Sequence, residues 1–396
     1  MPNIVDKFIS EKEEKGIILT LYKQGLRQDE IEHFILDKFR PYLKSKSILR
    51  LHLLVYLSQY IDTLLYILSD PENKVLFEKC LEVYWEAKAI DLDECYRSYQ
   101  YWQEEVLAAT SKIVTMIILD QDRTTMNLHE FAEDVFTKIG KIIEACIQPH
   151  LRILFFLENI INHKKSSKID IDKLILGVIV DKLNKYKIFN NIIIPPPWNV
   201  KLNHWRNISK HDSYSIEDNK IVCKYKKPPN QKKVVLLQPE LWKLFLVIND
   251  IFGILRLAHS VFFLDNIDEI RQYWEPKQLR KESGLLDQID LYRIFGFSAE
   301  GYALQDDKVT FRLIEQTSGD PDARLNQLIS LIRPTWYKTR KRIIVFEYYD
   351  SLNNPLFIVE ADTSKKKELF SLDVDEKFLT LENLKECITV TDLRDV

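Results

Sequence analysis

Glycine is scarce in this chain, with nine residues among 396. Proteins built from strands and tight turns need many residues at positive φ, so the shortage favours helices. Cysteine is sparse and odd in number. Cys80, Cys95, Cys146, Cys223 and Cys387 lie far apart, with neither the spacing of a zinc knuckle nor a disulfide framework. They read as reduced thiols of a cytoplasmic protein. Neither sign of charge dominates: 56 Lys and Arg stand against 59 Asp and Glu. A chain that coats nucleic acid by bulk charge would be far more basic, so any such contact must come from a local patch. Long apolar runs are missing too. Leu151–Leu157 and Leu244–Leu257 are too short or interrupted by charge, and Met1–Gly16 is polar, unlike a signal peptide. No membrane partner is expected. There is no internal repeat and no low-complexity segment.

What is present is apolar residue in quantity, 46% of a chain long enough for two or three domains. Residues 1–122 read as an N-terminal helical region. Ile17–Tyr22 and Ile31–Phe39 carry apolar residues at helical spacing on either side of Gly25. That pattern fits a helical hairpin better than a helix-turn-helix. Longer helices are expected over roughly 48–69, 73–88 and 92–119, with Asp70-Pro71 ending one and starting the next. The aromatics here, Tyr84, Trp85, Tyr96, Tyr99 and Trp102 among them, read as core.

Residues 123–268 behave as one unit. A helix of about 129–163 bends or breaks at Pro149, and another follows at about 170–187. Pro195-Pro196-Pro197 must be extended. Tyr214–Ile216 and Ile221–Tyr225 flank a hairpin turn at Glu217-Asp218-Asn219-Lys220. Val234–Leu237 reads as a further strand before a helix at about 239–264 that Pro239 can start. Residues 285–396 change character. Val309–Glu315, Arg342–Tyr349 and Leu356–Ala361 read as strands, with a helix at about 321–332, making a small α+β domain.

The chemistry concentrates at Arg206-Asn207-Ile208-Ser209-Lys210-His211. Arg followed by His within a few residues is a weak pattern; Arg27 with His33 and Arg123 with His129 also satisfy it. The fuller stretch Leu202-Asn203-His204-Trp205-Arg206-Asn207-Ile208-Ser209-Lys210-His211-Asp212-Ser213-Tyr214 resembles the motif of HEPN-domain ribonucleases. In that family an aromatic or apolar residue precedes Arg-Asn, and a tyrosine often follows the His. The preceding helices, with Pro149-His150-Leu151-Arg152 and Leu176-Gly177, and the following hairpin also fit, so the resemblance covers about 140 residues. It implies a mainly α fold: a HEPN helical bundle with a β-hairpin insertion, flanked by the N-terminal helices and the C-terminal α+β domain.

The residue types suit RNA cleavage on their own terms. RNA carries its nucleophile, the 2′-hydroxyl, beside each phosphate. Histidine titrates near neutral pH and can move the protons; arginine stays charged and can hold two phosphate oxygens. Arg206 and His211 are therefore the candidate catalytic pair, with Asn207 to orient them or to donate to phosphate. No cofactor or metal is needed by this kit. His150 and His163 lack zinc-binding spacing, and Asp170, Asp172 and Asp181 do not form a calcium loop. Residues five apart on a helix stand about 140° apart around its axis. Arg206 and His211 converge only if a helix end bends them together or two chains pool their motifs. The resemblance implies the second arrangement, a homodimer.

Lys210, Tyr214, Lys224, Lys226 and Lys227 are the candidate RNA contacts, with Lys232-Lys233 across the loop. Lys338-Thr339-Arg340-Lys341-Arg342 reads rather as a solvated turn. The expectation is a metal-independent endoribonuclease. By resemblance it would be a toxin or antiphage effector with an RNA substrate and a possible antitoxin or trigger-sensing partner. The competing reading is a non-catalytic HEPN module that binds a nucleotide, nucleic acid or protein.

Overall fold

The computed structural model describes residues 16–44, 51–118, 126–164, 167–186, 189–273, 288–289, 291–317, 319–365 and 386–394. The fold is about 60% helical with two small sheets, and the larger sheet lies in the C-terminal part. The chain forms two compact units. One takes in Tyr42–Ile48 and Thr63–Pro276; the other takes in Met1–Pro41, Leu49–Asp62 and Lys277–Val396.

The discontinuous unit opens with α1 (Ile17–Lys23) and α2 (Gln28–Phe39). Gly25, at φ +89, ends α1: its N–H bonds to Tyr22 O at 2.8 Å and that of Leu26 to Leu21 O at 3.1 Å. This paired closure at a left-handed residue is the reason for the glycine there. Helix α3 (Leu51–Ser58) packs on α2, and the boundary between the units falls inside α4 (Ile61–Ser69).

The second unit is a helical assembly. Asp70 Oδ1 caps α5 (Pro71–Ile90) through Glu72 N and Asn73 N, with Pro71 at the first helical position. Helix α6 (Leu92–Ile118) follows. Asn127 and Glu130 form a reciprocal capping box at the start of α7 (Leu128–Lys141). That helix runs into a π-helical turn, Ile142–Ile147, and then into α8 (Gln148–Ile161). The bend expected at Pro149 is thus a widened turn just before it. Gln148 N reaches back five residues to Ile143 O, in a stretch where the proline ring would otherwise press on the preceding turn.

Short helices α9 (Lys168–Asp172), α10 (Leu176–Leu183) and α11 (Asn190–Ile193) lead to α12 (Leu202–Lys210). Strands β1 (Tyr214–Glu217), β2 (Lys220–Tyr225) and β3 (Lys232–Leu236) form an antiparallel three-stranded sheet, one strand larger than a simple hairpin insertion. Asp218 and Asn219 turn the hairpin at φ +48 and +58, the pair of positive values a two-residue turn needs. Helix α13 (Gln238–Asp265) follows, then α14 (Ile267–Ile270). By length and composition α13 could cross a membrane, yet most of its apolar window is buried in this unit, against α5, α7 and the π turn.

The remaining strands are β4 (Phe297–Leu304), β5 (Lys308–Glu315), β6 (Ile343–Tyr349), β7 (Pro355–Asp362) and β8 (Ile388–Asp392), ordered β4-β5-β6-β7-β8. Neighbours are antiparallel except β5 and β6, which run parallel across α15 (Pro321–Ser330) and α16 (Ile332–Thr339). The sequence left β4, β8 and α16 unmarked. Strand β4 is broken by a bulge between Ala299 and Gly301, and β8 is an exposed edge.

Two expectations are corrected here. Residues 1–122 are not one region, because α1 to α3 belong with the C-terminal sheet and α5 and α6 with the other unit. Tyr22 hydroxyl donates to Ile294 O at 2.6 Å, and Gln327 Nε2 donates to Gln28 Oε1 at 3.0 Å. Likewise the third domain is not residues 285–396 alone, since it shares its unit with those first helices. A buried carboxylate organises this sheet's end: Glu315 accepts from Thr317 N and Oγ1, from Arg324 Nε at 2.7 Å and from Tyr348 hydroxyl at 2.5 Å. The buried Arg324 and Glu315 side chains thus meet each other and three further polar groups, and neither is left alone in the fold.

The helical unit buries a polar cluster of its own. His259 Nδ1 meets Tyr84 hydroxyl at 3.0 Å, its Nε2 meets Gln103 Oε1 at 2.6 Å, and Tyr99 stacks on the ring at 4.5 Å. His150, 1% exposed, lies 5.5 Å from it with neither ring nitrogen hydrogen-bonded. Burial, and the charge of Arg256, push His150 down to about 3; burial, then His150, pushes His259 far down as well. Both are neutral when folded but bind a proton near pH 6.5 when unfolded. Stability is therefore full above about pH 6.5 and falls below it, by about 1.4 kcal/mol per pH unit per histidine. Urea midpoints at pH 7.5 and pH 5.0 measure this. Equal midpoints would remove the account, and His150→Leu should remove about half of the dependence.

Candidate functional site

Helix α12 carries the motif. Leu202, Trp205 and Ile208 form its buried face, which lies against α7. The approach is close because Gly140 has no side chain. A Cβ there would overlap Ser209 Oγ and stand 3.0 Å from Ser209 Cβ. Ser209 Oγ instead donates to Phe136 O at 2.5 Å. On another side of α12, Asn203 fits against Gly177, where an added Cβ would stand 3.3 Å from Nδ2.

The helix ends at the motif's last residue. His211 is its C-cap, bonded through N to Asn207 O at 3.1 Å, and Asp212 follows at φ +45. Ser213 N returns to Ile208 O at 3.0 Å. This is the glycine-type helix stop with aspartate in the left-handed position, which a short polar side chain tolerates. The chain passes directly into β1, and the Tyr214 ring packs on Phe136 at 4.7 Å. Tyr214 is thereby a half-buried packing residue, its hydroxyl pushed up by burial.

Arg206 is mostly covered, at 22% side-chain exposure. Its Nη2 donates to Glu144 Oε1 at 2.7 Å and its Nη1 to Asn207 Oδ1 at 3.3 Å. Lys210 Nζ reaches the same Glu144 oxygen at 3.4 Å. Arg206, and with it Lys210, holds the Glu144 carboxyl below its ordinary range. Glu144 lies in the π turn. Nothing in its spacing to the motif marks it in the sequence, because a π turn shifts the helix phase in a way that periodicity does not reveal. His211 is exposed, and its ring makes no hydrogen bond with a described residue. The structure thus brings Arg206, Asn207 and Lys210 together around Glu144, and it gives no hydrogen bond between Arg206 and His211.

The three-stranded sheet supplies the other candidates. Lys224, Lys226 and Lys227 are exposed on β2 and the loop after it, and Lys232 and Lys233 lie opposite on β3. Lys224 is in register with Lys233, and Tyr225 with Lys232. Like charges directly opposite each other weaken a sheet. None of these five lysines makes an ion pair with a described residue. His204 packs its ring on Tyr225 at 5.2 Å, and burial, then Lys226 and Lys201, lowers its proton affinity.

Other stretches use their charges locally. In Lys338–Arg342, Lys341 Nζ donates to Gln305 O and Asp306 O, and Arg342 pairs with Asp362 at 3.5 Å. Arg27 pairs with Asp29 and Glu30, and His33 Nδ1 meets Asp29 O at 2.6 Å, which accounts for one repeat of the Arg–His pattern. Arg123, of the other repeat, lies outside the described residues. The five cysteines form no disulfide among the described residues and all are buried; burial pushes Cys80 and Cys223 up to about 12. Among the described residues, no group of three or more His, Cys, Asp and Glu is placed to hold a metal ion.

Set against known protein families, characterised proteins and solved structures, the chain gives no significant match. Gly140→Ala tests how the site is held. It should part α12 from α7, break the Ser209–Phe136 bond and cost about 1–3 kcal/mol. An unchanged urea midpoint would show that the contact is slack.

Proposed function

We propose that this protein is an endoribonuclease of the HEPN type, cutting RNA without a metal ion and working as a homodimer. One observation carries the reading. Arg206 and Lys210 converge on a single carboxylate oxygen, and the helix that carries them ends on an exposed histidine cap and leads into a lysine-rich sheet. Two cations gathered at one carboxylate leave a net positive charge that attracts a phosphate. In the reaction the 2′-hydroxyl loses its proton, a bond forms from O2′ to phosphorus, and the bond to O5′ breaks. The products are a 2′,3′-cyclic phosphate and a 5′-hydroxyl. His211 serves as one proton carrier, Arg206 holds the crowded phosphate, and Asn207 offers its amide N–H groups to the same oxygens. One histidine cannot take a proton and give another in the same step. A second copy of the motif supplies the missing group and motivates the homodimer. The lysines at 224, 226 and 227 would guide the RNA backbone. A role as a toxin or antiphage effector in the cytoplasm, with an antitoxin or trigger-sensing partner, belongs to the same proposal.

The Arg206–Glu144 ion pair favours a second reading, a module of this type that binds RNA and does not cut it. One assay separates the two. Wild type, Arg206→Ala and His211→Ala are incubated with single-stranded RNA in EDTA. The nuclease reading expects cleavage by wild type, cyclic-phosphate ends, and losses of about a hundredfold or more in both variants. Binding with no product, or equal cutting by all three, rejects it. Replacing Lys224, Lys226 and Lys227 by Ala should weaken binding and reduce the slope of log Kd against log salt by about 0.7 for each phosphate no longer neutralised. An unchanged slope would place the RNA elsewhere.

A further inference from the structure

Glu144 touches the motif from 62 residues away in the sequence. The exposed pairs that form within a turn of helix, such as Arg27 with Glu30, hold two mobile side chains together and contribute little. The pair at Arg206 is different in kind. The guanidinium is held at Nη2 by Glu144 and at Nη1 by Asn207, while its Nε is enclosed in the fold with no hydrogen-bond partner. Two fixed corners and one enclosed corner leave the planar group no freedom to turn about its Nε–Cζ bond. The N–H groups not used in these bonds keep a set direction. Lys210 is drawn to the same oxygen. With two cations and one anion the cluster keeps a net positive charge, so it still attracts a phosphate.

The backbone beneath Glu144 is also unusual. A π turn inserts one residue into a helix and rotates the C-terminal portion by about 100° relative to the N-terminal portion. Glu144 lies within that insertion, where a side chain departs from the regular stripe of α7 and α8.

We infer that Glu144 is a positioning residue of this site. From the π turn it orients the Arg206 guanidinium and gathers Lys210, without touching the reacting atoms. The inference rests on the nuclease reading above and extends it to a residue outside the motif. Glu144 acts through Arg206, so its loss should slow the chemical step more than it weakens RNA binding.

The test compares wild type, Glu144→Ala and Glu144→Gln by kcat and KM on a single-stranded RNA, with melting temperatures to confirm folding. Glu144 is 43% exposed, so both variants should fold. Glu144→Ala should lower kcat by about a hundredfold, the cost of a misplaced catalytic group, and leave KM within about threefold. Glu144→Gln keeps an acceptor oxygen and should recover most of the rate. A Glu144→Ala kcat within about twofold of wild type, or above it, overturns the inference and leaves the nuclease reading standing. A second readout does not depend on cleavage. In ¹⁵N spectra, with Arg206→Lys as the assignment control, the Arg206 guanidinium should show slow rotation in wild type and fast averaging in Glu144→Ala. If wild type cuts no RNA, the nuclease reading fails by itself, and this signal still decides whether Glu144 positions Arg206. Identical guanidinium spectra in the two proteins would overturn it.

Discussion

The contact between α7 and α12 is the constraint on which the candidate site depends. Gly140 removes a side chain, Ser209 fills the space, and its hydroxyl takes a carbonyl on the facing helix. The contact sets α12 against α7, which continues into the π turn bearing Glu144. Arg206 and Lys210 can therefore share one oxygen although neither is near Glu144 in sequence. Just beyond the contact the left-handed Asp212 stops α12, which places His211 at the cap and the three-stranded sheet directly after. A small residue at one helix surface thus determines the placement of charge at another, because packed interiors transmit displacement instead of absorbing it.

Much of the fold was legible in the sequence where its signals are local. Asp218-Asn219 marked the hairpin, Asp70-Pro71 marked a helix boundary, and Gly25 marked the stop of α1. The illegible parts are contacts between distant segments. Glu144 has no relation to Arg206 that periodicity could show, since the π turn breaks the helical phase. Tyr22 and Ile294, whose hydrogen bond ties α1 to the C-terminal part, lie 272 residues apart. Strand β4 carries Ala and Gly at its bulge, residue types that argue against a strand when read alone.

The site also separates two meanings of a charged residue. In Lys338–Arg342 the charge of Lys341 is taken up by two carbonyls and that of Arg342 by a carboxylate, and both hold neighbouring backbone. Around β2 and β3 five lysines share one end of a small sheet without a described acidic partner, two of them directly across from each other. That arrangement costs the sheet stability, and a polyanion would relieve it. Tyr214 shows the reverse outcome. Its ring packs on Phe136, so its position serves the joint between α7 and the sheet as much as any base it could meet.

The discontinuous unit constrains the order of assembly on the ribosome. Helices α1 to α3 are translated before most of the helical unit, yet the carbonyl that receives Tyr22 and the sheet of their own unit are made only after the whole helical unit has been translated. During that interval the Tyr22 hydroxyl lacks the Ile294 carbonyl to which it donates in the finished fold. The helical unit, contiguous apart from one short segment, can close while synthesis continues. Helices α1 to α3 are therefore made before the helical unit but secured after it.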